Sequence, residues 1–411
     1  MNAAASLEVR ACIVGGGPAG VMLGFLLARA GHSVAILEKH GDFLRDFRGD
    51  TVHPSTMTVL DELGLLGDFL RRPHSEIVQL AGHIGEDTIT IADFSHIPAK
   101  TKFIAIMPQW DFLNFLSERA HAYPGFRLLM NTAATDVRRE GARVAGVRAN
   151  GPGGPLEIRA DVVVACDGRG STVRDAVGIR PRDLGAPMDV LWMRISRRAS
   201  DPYAALGFVG AGAFLVLIDR NDYWQCGFVI AKGSSEAVRA RGLEAFRAEI
   251  AAIAPFLADR VSEIASWDDV KLLTVAVQRL DRWYLPGLLF IGDAAHAMSP
   301  IGGVGINLAI QDAVATANIL GAALQRPGAV ADDVLAEVQR RRTYPTVMTQ
   351  GLQVFIQRFG VSRVLQLKAI PERAPWQLRA ITSIPGFRRI PAYLVGIGFR
   401  PEHVATPAPT P

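Results

Sequence analysis

Cysteine is scarce in this sequence: Cys12, Cys166 and Cys226 are the only three among 411 residues, and no two of them form a C-x-x-C pair. This scarcity excludes a disulfide-rich secreted protein, and three widely spaced thiols fit a reducing compartment. Cys12 and Cys166 lie in apolar runs, so we expect both to be small core residues rather than nucleophiles. No metal site is predicted.

Excess charge and long apolar runs are also missing. The net charge of +4 is small for this length, and no basic run is interleaved with aromatic residues, so a nucleic-acid partner is excluded. The apolar run 22–28 is too short to cross a bilayer and is followed by Arg29. The first residues lack the charged start of a signal peptide. We therefore expect a cytoplasmic protein, and the length allows two domains without internal repeats.

Residues 9–38 carry the most informative pattern. An apolar, partly β-branched run (9–14) precedes the glycine fingerprint G-x-G-x-x-G, a helix-spaced apolar run and a second strand pattern (33–37). This order predicts a dinucleotide-binding βαβ unit. The predicted cofactor-binding residues are Gly15, Gly17, Pro18, Ala19, Gly20, Glu38 and Lys39.

Each residue type in this unit has a physical purpose. Gly15 allows a tight turn, Gly17 lets the backbone approach a pyrophosphate, and Gly20 lets the helix pack closely on the strand. Glu38 stands where a carboxylate binds ribose hydroxyls, and its charge argues against NADP at this first site because it would repel a 2′-phosphate.

Two later turns also follow strand patterns. The run 161–166 ends in Asp167-Gly168 and leads to Arg174, and the run 288–291 ends in Gly292-Asp293. Residues beyond the carboxyl ends of such strands face the ligand crevice of an open α/β sheet. A second glycine-rich loop, with Gly302, Gly303 and Gly305, then leads into a helix predicted over 308–324.

The three fingerprints in this order resemble those of the class A flavoprotein monooxygenases, the para-hydroxybenzoate hydroxylase type, over residues 9–325. The resemblance implies an α/β fold: a discontinuous Rossmann-like FAD-binding domain (GR2 type), an inserted mainly antiparallel β-sheet substrate domain and a helical C-terminal region. The expected layout is FAD domain 1–75, 103–182 and 279–330, substrate domain 76–102 and 183–278, helical region 331–405 and disordered tail 406–411. We also expect a helix over 57–63 with Ser55 near its N-cap and one over 243–253.

The resemblance further implies FAD as cofactor, NADPH or NADH as electron donor, and transfer of one oxygen atom from O₂ through a flavin C4a-hydroperoxide. It assigns Arg48 and Gln109 to FAD contacts, Asp293 to the ribityl or phosphate region, and Asp167 and Arg174 to a turn that serves both FAD and NAD(P)H. The backbone of Gly305, Ile306 and Asn307 would face the flavin ring. Pro300 and Gly303 would border the oxygen-transfer pocket, beside His296, which is either a proton relay or, as we favour, a hydrogen-bonded loop histidine.

Departures from the family pattern bear on the substrate. Val304 occupies a position that holds a lysine in the type enzyme, and the substrate-binding tyrosines and arginine of that enzyme find no match here. The expected substrate is therefore a bulkier, less charged aromatic such as a quinone, quinolone or polyketide-like ring. A monomer or homodimer is expected, and the cationic, aromatic C-terminal segment leaves peripheral membrane contact open.

Four alternatives remain open at this point. A flavin-dependent halogenase would carry a W-x-W-x-I-P motif, which is absent from the sequence. A membrane-lipid reductase or quinone-biosynthesis hydroxylase would work at the bilayer, and a non-catalytic FAD-binding protein would bind flavin without turnover. A plain NAD dehydrogenase would leave the Asp167 and Asp293 turns without a role.

Overall fold

The computed structural model describes residues 5–44, 50–202 and 206–407. The strands are β1 (Ala5–Val14), β2 (Val34–Leu37), β3 (Thr51–Val52), β4 (Ser75–Ile77), β5 (Gln79–Ile84), β6 (Asp87–Asp93), β7 (Ile104–Ile106), β8 (Phe126–Leu129), β9 (Ala133–Glu140), β10 (Arg143–Gly151), β11 (Gly154–Ala165), β12 (Arg182–Asp183), β13 (Met188–Ser196), β14 (Leu206–Val209), β15 (Phe214–Asp219), β16 (Tyr223–Ala231), β17 (Lys271–Leu273), β18 (Gln278–Arg279), β19 (Tyr284–Leu285), β20 (Leu288–Phe290) and β21 (His296–Ala297). The helices are α1 (Pro18–Arg29), α2 (Pro54–Glu62), α3 (Leu66–Leu70), α4 (Gln109–Ala120), α5 (Thr172–Ala176), α6 (Ser235–Ala240), α7 (Leu243–Ile253), α8 (Gly305–Ala323), α9 (Asp332–Ile356), α10 (Ser362–Val364), α11 (Trp376–Ser383) and α12 (Arg389–Gly396).

A parallel sheet forms the first layer. Its strands follow the order β8-β2-β1-β11-β20, all parallel, with β19 antiparallel at one edge. The central parts of these strands (11–14, 34–37, 162–165 and 288–290) are apolar, as expected of a parallel sheet that is buried on both faces. Helices α1, α4 and α8 pack together over one face, and the hairpin β10–β11 extends the sheet through β9. The prediction of a mixed α/β fold is confirmed.

A second sheet has the order β17-β13-β16-β15-β14-β5-β6 and is antiparallel except where β14 pairs with β5. Strands β5 and β6 therefore join a sheet whose other members come from residues 188–273. Helix α7, predicted over the same residues, covers this sheet with Phe246 and Ile250 buried.

Several sequence predictions need correction. Helix α2 begins at Pro54 with His53 as N-cap, because proline suits the first helical position. Ser55 therefore lies inside the first turn and is not the cap. The predicted disordered tail begins too early: Thr406 is buried and its carbonyl accepts a hydrogen bond from Arg29, while residues 408–411 lie outside the described ranges. The structure also has a small third sheet, in which β7 pairs with β3 and β4.

The cysteines lie where the apolar runs suggested. Cys12 is fully buried, and burial raises the pKa of its thiol to about 12. Burial also raises the pKa of Cys166 well above its usual value, helped by the nearby Asp167 carboxylate. Neither thiol is available as a thiolate nucleophile. No helix in the described ranges has the length and apolarity needed to cross a bilayer.

A buried ion pair fastens the loop after β13 to the 3₁₀ turns beyond α7. Both guanidinium Nη atoms of Arg260 donate to the Asp201 carboxylate at 2.8 Å, and the Trp224 indole donates to it at the same distance. Burial alone would raise the pKa of Asp201, but these hydrogen bonds, with one from the Arg198 amide, lower it to about 2. The carboxylate is therefore charged and fully satisfied.

Asp201→Asn is expected to lower the free energy of unfolding at neutral pH by about 3–5 kcal/mol, since it leaves a buried guanidinium without its counter-charge. Because the folded-state pKa lies below the unfolded one, wild-type stability from this group is present above about pH 4 and is lost as the pH falls toward about 2. Urea unfolding of both proteins across this pH range measures the difference between their free energies of unfolding. This difference should become smaller as the pH falls.

The exposed Asp136, paired with Arg148 at 3.5 Å, provides the control. Asp136→Asn should change stability by less than about 1 kcal/mol. If the difference in free energy of unfolding between wild type and Asp201→Asn stayed constant down to about pH 2, the conclusion that the Asp201 carboxylate is charged in the folded protein would be wrong.

Candidate functional site

The first two predicted turns lie side by side at the carboxyl ends of β1 and β11. Gly15 has φ +105°, and a Cβ there would lie 2.4 Å from the carbonyl oxygen of Cys166, the residue after β11. Only glycine tolerates both this dihedral angle and this approach. The glycine turn is therefore packed directly against the turn that begins at Asp167.

The start of α1 leaves open space beside Gly17 and packs closely against the glycine turn at Gly20. Gly17 is the N-cap with Pro18 next to it, and no described atom lies within 4 Å of a Cβ built on Gly17. A Cβ on Gly20 would lie 2.0 Å from the carbonyl oxygen of Gly15. The N–H groups of the first turn have no partner within the helix. A phosphate group fits this cradle, which a side chain at Gly17 would fill.

Glu38 directly follows β2 and is pre-positioned by backbone donors. Its Oε2 accepts from the Gly16 amide at 3.0 Å and its Oε1 from the His40 amide at 3.1 Å. The side chain is buried at the edge of the glycine turn, whereas Lys39 is exposed. The carboxylate is thus held near the cradle in a fixed orientation.

The Asp167 turn is tied to the Gly292 turn by an arginine. Asp167 Oδ2 accepts from the Val173 amide at 3.0 Å, and Arg174 Nη1 donates to the carbonyl oxygen of Ala294 at 3.0 Å. Burial raises the pKa of Asp167, and its Oδ1 is buried without a partner among the described atoms. An unsatisfied buried acceptor of this kind fits a ligand donor.

The second acidic turn lies between two helix N-termini. Gly292 has φ +58°, and a Cβ there would lie 3.3 Å from Ala19 Cβ in α1 and 3.4 Å from Ala309 Cβ in α8. The half-buried Asp293 follows directly. Both helices direct their positive ends toward this turn, which favours a ligand with anionic or electron-rich groups.

Asp312 holds this turn from beneath. Its Oδ2 accepts from the Gly292 amide at 3.0 Å and contacts His296 Nε2 at 2.5 Å, and its Oδ1 accepts from Arg342 Nε at 2.8 Å. Burial alone would raise the pKa of Asp312, but its interactions and hydrogen bonds with His296 and Arg342 outweigh burial and lower the pKa. Arg342 also contacts Glu402, near the end of the described chain.

His296 lies inside this network. It is 1% exposed and its ring lies 4.9 Å from that of Trp283. The partner that sequence reasoning could not name is Asp312, sixteen residues away on α8. The structure thus gives His296 a buried carboxylate partner, a contact that both of the roles considered for it allow.

The glycine-rich loop is fastened to β3. The Thr51 hydroxyl donates to the carbonyl oxygen of Gly303 at 2.8 Å, and the Gly303 amide donates to that of Pro300 at 3.0 Å. Gly303 has φ +64°, and a Cβ there would lie 2.4 Å from Thr51 Oγ1. Glycine is needed at Gly303 for its contact with Thr51, whatever ligand lies beyond the loop.

The Asn307 side chain is also committed to the protein. Its Oδ1 accepts from the His53 amide at 2.8 Å and from the Thr56 hydroxyl at 2.7 Å. What remains at the start of α8 is backbone: the first-turn amides of Gly305, Ile306 and Asn307 have no acceptor within the helix. The predicted interaction of this helix end with a ligand would therefore be a backbone interaction.

Asp50, just before β3, is paired with the residue that follows β15 of the second sheet, and sequence reasoning missed it. Its carboxylate forms a buried ion pair with Arg220, which also donates to Gln225 at 2.9 and 3.1 Å. Burial raises the pKa of Asp50, and Arg220, Gln225 and the Gln109 amide act in the opposite direction. Gln109 thus reaches the site through its backbone at the start of α4. Arg48 lies outside the described ranges.

An apolar cluster of the second sheet borders the glycine-rich loop. Ile301 of that loop packs against it together with Val361 and Leu365. Its buried members are Met188, Val190, Trp192, Val229 and Val275. Such a surface suits an apolar ligand and excludes water from the loop.

Comparisons with known proteins agree with this geometry. The FAD binding domain family matches residues 8–347. 6-methylpretetramide 4-monooxygenase of Streptomyces rimosus is 34% identical over 382 residues, which cover 92% of this chain and 90% of that protein. A 12-dehydrotetracycline 5-monooxygenase/anhydrotetracycline 6-monooxygenase of Streptomyces rimosus subsp. rimosus is 28% identical, over 76% of this chain and 62% of that protein.

A solved structure shares the fold. That of pqsL, a probable FAD-dependent monooxygenase from Pseudomonas aeruginosa, superimposes with a TM-score of 0.71 at 24% identity, covering 88% of this chain and 97% of that chain. At this level of identity the likeness concerns the fold alone.

Asp312→Asn is expected to lower the free energy of unfolding by about 3–5 kcal/mol, because Arg342 would keep its charge in a site without a counter-ion on α8. Urea unfolding measures the effect, with Asp281→Asn as control since Asp281 is 76% exposed and lies 3.7 Å from Arg182. The double variant Asp312→Leu/Arg342→Met should recover part of the loss. Equal unfolding midpoints for wild type and Asp312→Asn would contradict the role of this carboxylate.

Proposed function

This chain belongs to the FAD binding domain family and is an FAD-dependent monooxygenase, and from that premise we propose that it hydroxylates an apolar, polycyclic aromatic substrate with electrons from NADPH or NADH. The observation that carries the substrate class is the apolar cluster beside the glycine-rich loop. The proposal is further supported by the 34% identical relative, which is named for a reaction on 6-methylpretetramide.

The binding mode we propose follows the cradle described above. Glu38 would bind the ribose hydroxyls of the adenosine half, and the amides from Gly15 to Gly20 would hold the pyrophosphate. Asp293 would face the ribityl or phosphate region, and the amides of Gly305, Ile306 and Asn307 would face the flavin ring. The open space at Gly17 and the unsatisfied Oδ1 of Asp167 support this placement.

FAD, when bound, would accept electrons from a nicotinamide and activate O₂ for transfer of one oxygen atom to an aromatic ring. The chain provides orientation and electrostatics for this chemistry. The N-terminus of α8 stabilises negative charge that develops near it, since its dipole and free amides need no reorganisation. Thr51 holds Gly303 in position, and the side chains of Ile301 and Trp192 keep water away from the oxygen-transfer region.

Val304 fits the proposed substrate class. It lies between Gly303 and the start of α8, where a lysine would add a charge beside the apolar cluster. An uncharged loop disfavours a carboxylated substrate, because no cation would offset the cost of burying its charge.

The proposal for reduction involves the Asp167 turn, but Arg174 is not a clean probe of it. Its guanidinium supports the Ala294 carbonyl, so its replacement would also disturb the turn that carries Asp293. NADPH and NADH are therefore better distinguished by steady-state kinetics with each donor than by a variant at this position.

Glu38→Ala is expected to weaken FAD retention by about 1.5–3 kcal/mol, the scale of hydrogen bonds to a charged group. This corresponds to roughly 10- to 150-fold in Kd. Reconstitution of apoprotein followed by flavin fluorescence measures it, and Glu8→Ala, an exposed acid on β1, should bind FAD as wild type does. Release of FMN from the purified protein would refute the assignment of the adenosine site.

The reaction is tested by turnover in ¹⁸O₂. A linear polycyclic phenol should stimulate NAD(P)H oxidation and give a product with one labelled oxygen atom, whereas para-hydroxybenzoate should stimulate little. Without a fitting substrate, reduction should be slow or electrons should be lost to H₂O₂, since water then reaches the site. A product whose new oxygen comes from water would sink the monooxygenase proposal.

A further inference from the structure

Exposed apolar side chains are concentrated at the C-terminal end of the described chain. Twelve of the sixteen large apolar side chains that are exposed in the described ranges fall within residues 344–393. We call this set the C-terminal apolar face: Tyr344, Val347, Met348, Phe355, Ile356, Phe359, Ile370, Trp376, Ile381, Ile384, Ile390 and Tyr393. Soluble monomers rarely expose so many together, so a partner of some kind is indicated.

The arrangement of these side chains follows helical geometry. Along α9 and its π-helical extension, Tyr344, Met348, Phe355 and Phe359 recur at spacings of four, seven and four, which places them on one stripe. Trp376 at the start of α11 is 68% exposed and Ile390 in α12 is 59% exposed. Both short helices contact β6 and turn these side chains outward.

The charges of the same stretch have one sign. Residues 344–393 contain the cations Arg358, Arg363, Lys368, Arg373, Arg379, Arg388 and Arg389 and a single acid, Glu372. The rest of the chain is net acidic, because the whole sums to only +4. Within the described part of the chain, neither Arg358, Arg363 nor Arg379 has a carboxylate partner, so these cations remain available to an anionic surface.

We propose that the C-terminal apolar face docks on an anionic lipid surface. Apolar tips interspersed with arginines, and an exposed tryptophan among them, are the chemistry that inserts into the interface of a bilayer with acidic headgroups. A second copy fits less well, since a symmetric interface would bring seven cations of each copy together.

The inner side of the same segments reaches the candidate site. Val361 and Leu365 pack on the apolar cluster beside Ile301. The carbonyl oxygen of Val395, in α12, accepts from His53 Nδ1 at 2.7 Å, and His53 in turn donates its amide to Asn307. A membrane bound at the outer side would therefore lie one layer of side chains from the loop, and an apolar substrate dissolved in it could enter there. This last step rests on the proposed function; the docking itself does not.

Co-sedimentation with vesicles tests the proposal without any turnover. The full chain should bind vesicles of phosphatidylcholine mixed with phosphatidylglycerol, bind vesicles of phosphatidylcholine alone more weakly, and lose affinity as salt is raised. Arg379→Glu/Arg389→Glu should weaken binding by at least about tenfold, and Trp376→Ser by on the order of tenfold, since a large apolar side chain would no longer insert.

Matched variants elsewhere on the surface provide the controls. Arg127→Glu/Arg180→Glu changes the same number of exposed charges on the FAD-binding side, and Leu272→Ser removes an exposed apolar side chain from β17. Both should bind vesicles as wild type does. No binding to anionic vesicles at low salt, or equal losses in the control variants, would overturn the proposal. So would sedimentation in solution as a dimer that Trp376→Ser dissociates, which would make this face an interface between copies.

Discussion

One buried carboxylate supports the turn on which the candidate site depends. Asp312 is completely buried and accepts from the Gly292 amide, His296 and Arg342, so three separate segments converge on two oxygen atoms. Through Arg342 and Glu402 the same contact draws in α9 and the end of the described chain. A buried charge is tolerated only when its partners are all in place, so this network specifies one arrangement of the turn rather than adding net stability.

In that arrangement, a single turn contacts both α1 and α8. Gly292 lies between Ala19 in the first turn of α1 and Ala309 in the second turn of α8. Both helix ends are electropositive and both offer free amides. A dinucleotide whose central pyrophosphate is linked to an electron-accepting ring is the kind of ligand that can use both helix ends, which agrees with the binding mode proposed above.

The parts of this site that the sequence predicts are local. Gly15, Gly17 and Gly20 lie within six residues of one another, and their spacing alone indicates the strand, turn and helix that the structure has. Asp312 and Arg342 are thirty residues apart, and Asp50 before β3 and Arg220 after β15 are farther apart still, so no periodicity connects them. Asn307 shows the same limit: the helix was predicted to begin at 308 and begins at Gly305, so Asn307 lies in its first turn, and its side-chain partners His53 and Thr56 were not predictable because they depend on tertiary packing.

Two buried ion pairs, Asp312–Arg342 and Asp50–Arg220, hold different parts of the candidate site in place. Asp312 with Arg342 orders the Gly292 turn, and Asp50 with Arg220 links the start of α4 to the second sheet through Gln109 and Gln225. Between them the surface is apolar, formed by Trp192 and Ile301 with their neighbours. The directional contacts are thus concentrated in these two ion pairs, whereas the side chains next to Ile301 are apolar. An enzyme that must keep water from an oxidising centre while admitting an apolar ring needs this separation, because directional contacts set the geometry and undirected ones accept the substrate.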